Sequence, residues 1–305
     1  MKIAVIGAGA MGSIYGGHLS QKNQVYLVDT NAAVVDAINQ NGIEMEEGGG
    51  VNTYHPQAMT STFGVGEADL IILFVKALYS RAALNGNRSL IGDKTYVLTL
   101  QNGSGHEDIL SEFVPEDHII IGTTEDNGAV LGLGKIRHGG KGRTNIGMLT
   151  EDKDGILPRV KEAFEQCGFD VLIHNNIQQL IWGKLFTNVS LSAVTGILQC
   201  RMGYIASDSH AWKMTEQLVR EAVAVAGGLG LDFDQEEILS KVKATAEESP
   251  GGITSICADL KAGRRTEVDT ISGSVVRAAA KCGIPAPTHS FLVEMVHAME
   301  DRDKE

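Results

Sequence analysis

Six residues near the N-terminus, Gly7-Ala8-Gly9-Ala10-Met11-Gly12, follow an apolar run and open a helical stretch. In that setting Gly7 permits a tight turn, Gly9 lets the backbone approach a pyrophosphate, and Gly12 lets helix and strand pack closely. The helix N-terminus at Ala10 and Met11 then supplies N–H groups and a partial positive charge to phosphates. A plain glycine turn is the competing reading, and a GxGxxG alone is a weak signal; here a strand, a helix and a following acid agree on a dinucleotide site. The acid is Asp29, 22 residues after Gly7 at the end of the second apolar run. A carboxylate there accepts hydrogen bonds from adenosine ribose hydroxyls and repels a 2′-phosphate, and Thr30 and Asn31 bring no cation. The expected cofactor is NAD, with NADH preferred over NADPH.

Two further loops fall where strands end. Lys76 follows the apolar run 70–75 and Asn102-Gly103 follows the run 95–100, the edge of an open parallel sheet where ligands lie. On position alone, Lys76 serves equally well as a solvated residue in a first helical turn, and Asn102-Gly103 as a turn. In QQLIWGKLFTNVSLSAVTGILQ, residues 178–199, Lys184, Asn188 and Ser192 are four apart and fall in one row of a helix. The exposed edge of an amphipathic helix explains that row as readily as an active lysine does. Thr254, Ser255, Asp259, Arg264, Arg265, Thr266, Glu267 and Asp269 read as a surface loop leading into a helix, with Thr266 or Glu267 near its N-terminus.

These residues need elements to hold them. Short apolar runs at 3–6, 24–28, 70–75, 95–100, 118–122, 144–147 and 170–173 alternate with helical stretches at 11–21 and 32–41. Continuous apolar runs are what strands buried on both faces look like, so the pattern predicts an α/β half with a mainly parallel sheet covered by helices. Beyond residue 175 the period becomes 3.6, with helices expected at 211–227, 235–247 and 267–281 and no convincing strand. The expected division is a dinucleotide-binding domain over 1–174 and an all-helical substrate and catalytic domain over 175–305, with 46–50 a short flexible turn.

Composition narrows the function. The 305 residues carry 26 Lys plus Arg against 38 Asp plus Glu, a formal charge of −12, and lack the positive face that a nucleic acid or an anionic membrane requires. No stretch is apolar enough to span a bilayer, and the glycine-broken first run is no signal peptide. The four cysteines, Cys167, Cys200, Cys257 and Cys282, form neither a CxxC pair nor a zinc-site spacing. Free thiols in a cytoplasmic protein are the economical reading, and no metal site is expected.

Six separated motifs resemble the ketopantoate reductase (2-dehydropantoate 2-reductase) family: GAGAMG at the glycine loop, FVKA at 74–77, QNG at 101–103, WGKLFTN at 182–188, TSICADLKAGRRTEVDTISG at 254–273 and GIPAPTH at 283–289. The resemblance implies a Rossmann-type domain followed by a helical one. It also implies that Lys184 is the general acid that protonates the carbonyl oxygen as hydride arrives from the nicotinamide. By the same matching, Asn188 contacts substrate, Ser255 helps hold its carboxylate, Glu267 lies near lysine, substrate and cofactor ribose, and Lys76 and Asn102 line the cleft. The family commonly carries a basic residue where this chain has Asp29, and a second asparagine where it has Ser192.

The resulting expectation is reduction of a C3-branched 2-oxo acid of the 2-dehydropantoate type to the D-2-hydroxy acid. An NADH-dependent D-2-hydroxyacid dehydrogenase, acting on D-mandelate or D-2-hydroxyisovalerate, stands as the alternative, to which Asp29 and Ser192 incline. A non-catalytic dinucleotide sensor is the reading from another class. The partners expected are a small 2-oxo acid and a second copy of the chain in a homodimer.

Overall fold

The structure is a computed structural model and describes residues 1–302. The chain forms two compact units, one of Met1–Gln101 with His106–Ile177, the other of Asn102–Gly105 with the chain from Gln178 onward.

The first unit contains β1 (Lys2–Ile6), α1 (Ala10–Leu19), β2 (Gln24–Val28), α2 (Ala32–Asn41), β3 (Ile43–Glu47), β4 (Gly50–Tyr54), β5 (Gln57–Met59), β6 (Leu70–Leu73) and α3 (Ser80–Gly86). It continues through β7 (Tyr96–Thr99), α4 (Glu107–Leu110), β8 (Ile119–Thr124), β9 (Asn127–Gly132), β10 (Lys135–Gly140), β11 (Arg143–Gly147), α5 (Ile156–Glu165) and β12 (Asp170–Ile173). Eight strands form the main sheet in the order β12-β11-β8-β7-β6-β1-β2-β5. Every pair is parallel except β8 with β11, so the mainly parallel sheet expected from the apolar runs is present. The reason is visible in β6 and β7, whose residues LIIL and YVLT are buried throughout. Withdrawing each such large apolar side chain from water stabilises by about 1.5–3 kcal/mol. From β1 the chain proceeds outward through β2 to β5 and then returns to β6 on the other side of β1. That reversal opens a crevice at the carboxyl ends of β1 and β6, where ligands of such sheets lie.

A second sheet, β4-β3-β10-β9, was not expected. Residues 46–50 are no flexible turn: Glu46 and Glu47 end β3, Gly50 begins β4, and only Gly48 and Gly49, both with positive φ, make the turn. β9 and β10 escape a sequence reading because their residues NGAVLG and KIRHGG are glycine-rich and largely exposed. β10 also runs parallel to β3, a partner far away in sequence. Helix α1 is buried from Gly12 to Leu19. Its Tyr15 packs on Phe74 and Phe169 with ring centroids at 4.8 and 4.4 Å, and its hydroxyl meets Thr144 Oγ1 at 2.6 Å.

The second unit is helical: α6 (Ile177–Thr187, whose first residue groups with the other unit), α7 (Ala193–Leu198), α8 (Met202–Ser207), α9 (Ser209–Gly228), α10 (Gln235–Glu248), α11 (Ser255–Lys261), α12 (Ser272–Cys282) and α13 (Pro287–Arg302). Asp208, Asp234 and Thr254 cap α9, α10 and α11 by accepting from first-turn N–H groups. Trp182, Phe186, Val189, Leu218, Val242 and Val296 share its core. The GIPAPTH segment joins two helices and is braced by a third. Gly283 ends α12 with φ 69°, Pro287 opens α13, and the Glu221 carboxylate of α9 accepts from the N–H groups of Thr288 and His289.

Two helix expectations need correction. Residues 178–199 are not one helix, because a π turn at Asn188–Ser192 separates α6 from α7. Within it the Ser190 hydroxyl donates to Phe186 O at 2.6 Å, and just beyond it the Thr195 hydroxyl of α7 donates back to Leu191 O at 2.7 Å, back-bonding that competes with the regular ladder. The helix expected over 267–281 begins only at Ser272. Thr266 and Glu267 therefore sit in the turn before it, where Glu267 O accepts from the N–H groups of Thr270 and Ile271.

Candidate active site

The glycine loop joins β1 to α1 without a spacer, and each glycine is required for a different reason. Gly7 has φ 107°, and a Cβ there would lie 2.9 Å from the Phe74 and Val75 backbone beyond β6. A Cβ on Gly12 would lie 1.7 Å from Gly7 O, so only glycine lets the first helical turn rest on the strand end. Gly9 is exposed, and a Cβ there would meet no atom within 4 Å. The space above Gly9 is therefore open to a ligand, and α1 begins there with neither a side-chain cap nor an acidic residue in its first turn. This cradle fits a pyrophosphate.

Asp29 stands immediately after β2. Its Oδ2 accepts from Ala8 N at 2.7 Å and its Oδ1 from Asn31 N at 2.9 Å. The carboxylate is thus fixed beside the glycine loop, with a lone pair on each oxygen still able to accept. Asn31, the neighbour without a charge, caps α2 through Ala33 N. Lys76 is half-buried, follows β6, and precedes the 3₁₀ turn Ala77–Tyr79, with Tyr79 N donating to Lys76 O. Gln101 was not anticipated. Its amide donates to Val75 O at 2.6 Å and to Ser80 Oγ at 2.9 Å, bracing the loop that carries Lys76. The first unit therefore gathers Gly7, Gly9, Ala10, Met11, Gly12, Asp29 and Lys76 at the carboxyl ends of β1, β2 and β6.

The second unit groups the remaining residues. Lys184 is exposed on α6, Asn188 is half-buried where the π turn starts, and Ser192 is buried where it ends. The π turn shifts the register between Asn188 and Ser192, so the regular four-residue row does not continue. Ser192 O is 3.4 Å from Thr254 Oγ1, which also meets Thr195 Oγ1 at 2.7 Å. These contacts set Ser255, the exposed first residue of α11, beside the π turn. Asn102 is exposed, and the segment after it docks on the turn containing Glu267: Ser104 N donates to Thr270 O at 3.0 Å, and Gly103 lies so close to Thr270 O that a Cβ would be 2.1 Å away.

The turn bearing Glu267 is held from α13. The buried Glu300 carboxylate accepts from Thr266 N and Thr266 Oγ1, both at 2.7 Å, and from the Arg265 guanidinium at 2.5 Å. Burial would raise the Glu300 carboxyl, but these hydrogen bonds, with that from His297, outweigh it and hold it at about 2. Sequence spacing offered no sign of Glu300, because nothing in an acid on a late helix says which distant backbone it caps.

Known proteins match the chain along both units. Residues 3–151 match the family profile described as ketopantoate reductase PanE/ApbA, and residues 176–300 match its C-terminal profile. The chain is 30% identical over 302 residues to a 2-dehydropantoate 2-reductase of Streptococcus pyogenes, covering 98% of each. It is 31% identical over 307 residues to one of Lactococcus lactis, covering 99% of this chain and 98% of the other. Among solved structures, a ternary structure of D-mandelate dehydrogenase with NADH and anilino(oxo)acetate is similar with a TM-score of 0.89 and 32% identity, covering 99% of each chain.

Two substitutions in the loop separate fit from folding. Gly9→Ala keeps the wild-type melting temperature but weakens dinucleotide binding tenfold or more, by about 1.4 kcal/mol. Gly12→Ala lowers the melting temperature by forcing the helix off the strand, and calorimetry with fluorescence titration of the cofactor checks both. Glu300→Gln costs about 1–3 kcal/mol at neutral pH through its buried hydrogen bonds. A depressed folded pKa stabilises above the ordinary glutamate value of 4.5, and that contribution fades as pH falls toward about 2. Urea denaturation at neutral pH and at pH about 3 should therefore show wild type and variant converging in acid.

Proposed function

The chain belongs to the ketopantoate reductase family, and on that premise we propose that it is an NADH-dependent reductase of a C3-branched 2-oxo acid, yielding the D-2-hydroxy acid. The observation that carries this reading is the fixed Asp29 carboxylate beside an open glycine cradle, in a chain that retains a lysine, an asparagine, a serine and a glutamate at the family's active positions.

A nicotinamide dinucleotide, when bound, would supply the hydride that C2 of the substrate accepts. Gly9 and the N-terminus of α1, with Ala10 and Met11, hold the pyrophosphate. Asp29 accepts from the ribose hydroxyls and repels a 2′-phosphate, a like-charge contact that costs several kcal/mol. The Lys184 ammonium donates its proton to the carbonyl oxygen as negative charge develops there, stabilising that charge and completing the alcohol. Asn188 and Ser192 orient the substrate, Ser255 donates to its carboxylate, and Glu267, whose turn is pinned by Glu300, takes the active-site role that its match to the family implies. Lys76 and Asn102 line the cofactor side.

A second reading, an NADH-dependent D-2-hydroxyacid dehydrogenase, is favoured by Asp29, by the small Ser192, and by the likeness to D-mandelate dehydrogenase. A panel of ketopantoate, 2-ketoisovalerate, phenylglyoxylate and pyruvate, each with NADH and NADPH, separates the two. The expected result is turnover of ketopantoate, with NADH ahead of NADPH. Turnover of ketopantoate alone with NADPH would overturn the cofactor assignment, and 2-ketoisovalerate or phenylglyoxylate as the best substrate would select the second reading. Lys184→Ala should lower kcat by roughly 10²–10⁴-fold while leaving NADH affinity intact; an unchanged kcat would remove the lysine from the chemistry.

A further inference from the structure

In the first unit, away from the glycine loop, three side chains from α1, β3 and β10 converge on one point. His18 Nε2 lies 2.9 Å from Glu47 Oε2, and His138 Nδ1 lies 3.2 Å from the same oxygen. All three donor atoms are within 4.8 Å of one another. Donors held tetrahedrally at roughly 2.0–2.1 Å from one zinc ion stand about 3.3 Å apart, so the two histidine–glutamate pairs are already near that spacing and the histidine pair, within 4.8 Å, has only to close on the ion.

What surrounds the three groups is as informative as their spacing. The remaining nitrogen of His138, Nε2, is 2.8 Å from Asp126 Oδ1, a carboxylate that orients the ring so that Nδ1 points at the centre. Asp126 is itself held by Thr124 Oγ1 at 3.2 Å and Gly142 N at 3.3 Å. The other oxygen of Glu47 accepts from Tyr54 OH at 2.5 Å and Asn52 Nδ2 at 3.0 Å, leaving Oε2 for the centre. Outer partners of this kind, a carboxylate on a ligating imidazole and donors on a ligating carboxylate, are what metal sites use to fix their ligands. The side chains of His18, Glu47 and His138 are 8%, 8% and 2% exposed. Cavities of about 380 and 610 Å³ both reach His18, one bordering His138 and the other Glu47, and give a path from solvent.

We propose that His18, Glu47 and His138 form a site for a first-row divalent transition-metal ion, zinc by default, that staples α1 to the smaller sheet. Two imidazoles and one carboxylate suit zinc, cobalt or nickel, whereas calcium and magnesium take oxygen ligands. Three protein ligands leave further positions to water from the cavities. The site lies outside the machinery assigned to hydride transfer, so it stands or falls separately from that assignment.

The test begins with the full chain stripped by chelator and titrated with Co²⁺ under optical absorption, then with Zn²⁺. One equivalent of Co²⁺ should bind with the visible bands of a low-coordinate nitrogen and oxygen site, be displaced by Zn²⁺ and not by Mg²⁺ or Ca²⁺, and raise the melting temperature. His18→Ala and His138→Ala should abolish the bands, Asp126→Asn should weaken binding roughly 10- to 100-fold, and His210→Ala, at an exposed position in the first turn of α9, should leave it unchanged. Where a variant fails to fold, wild-type crystals grown with Zn²⁺ decide: an anomalous peak among His18, Glu47 and His138 is expected. No stoichiometric Co²⁺ binding by wild type, bands that persist in both folded histidine variants, or zinc found only elsewhere would each overturn the proposal and leave a purely hydrogen-bonded cluster.

Discussion

The first unit depends on one missing side chain. Gly12 sits over the carbonyl of Gly7 at a distance that any Cβ would close to 1.7 Å, and this contact lets α1 start where β1 stops. Because α1 is then fixed by its first turn, its buried length can serve both layers: Tyr15 packs under the main sheet's residues, and His18 reaches the smaller sheet. The open space above Gly9, the unblocked helix end and the position of Asp29 all follow from that junction.

The helical unit solves a different problem, which is to hold polar side chains at the ends of apolar elements. Its π turn, the Thr195–Thr254 contact and the Glu300 grip on Thr266 are buried polar interactions that position exposed Lys184, Ser255 and half-buried Glu267 without using those side chains.

What could be read beforehand followed the range of the interactions involved. The main sheet was legible because strands such as LIIL are buried on both faces and show it within four residues. The glycine loop was legible because the tightest of its constraints, Gly12 over the Gly7 carbonyl, lies within six consecutive residues. The smaller sheet was not, since β3 pairs with β10 some 91 residues on, as the Lys135–Glu44 bridge records. Nor was the His18–Glu47–His138 cluster, whose members have no characteristic spacing. Lys184, Asn188 and Ser255 drew their proposed roles from likeness to a family; spacing alone left them as the edge of a helix and a surface loop.

The grip of Glu300 on Thr266 also carries a timetable. Thr266 leaves the ribosome 34 residues before its partner, so during synthesis the turn bearing Glu267 emerges with the Thr266 N–H bonded to water and must wait for α13. The first unit, whose strands all precede residue 174, can be complete by then, since domains generally fold in the order they appear. A nascent chain would therefore acquire a finished nucleotide cradle well before its last polar turn is locked.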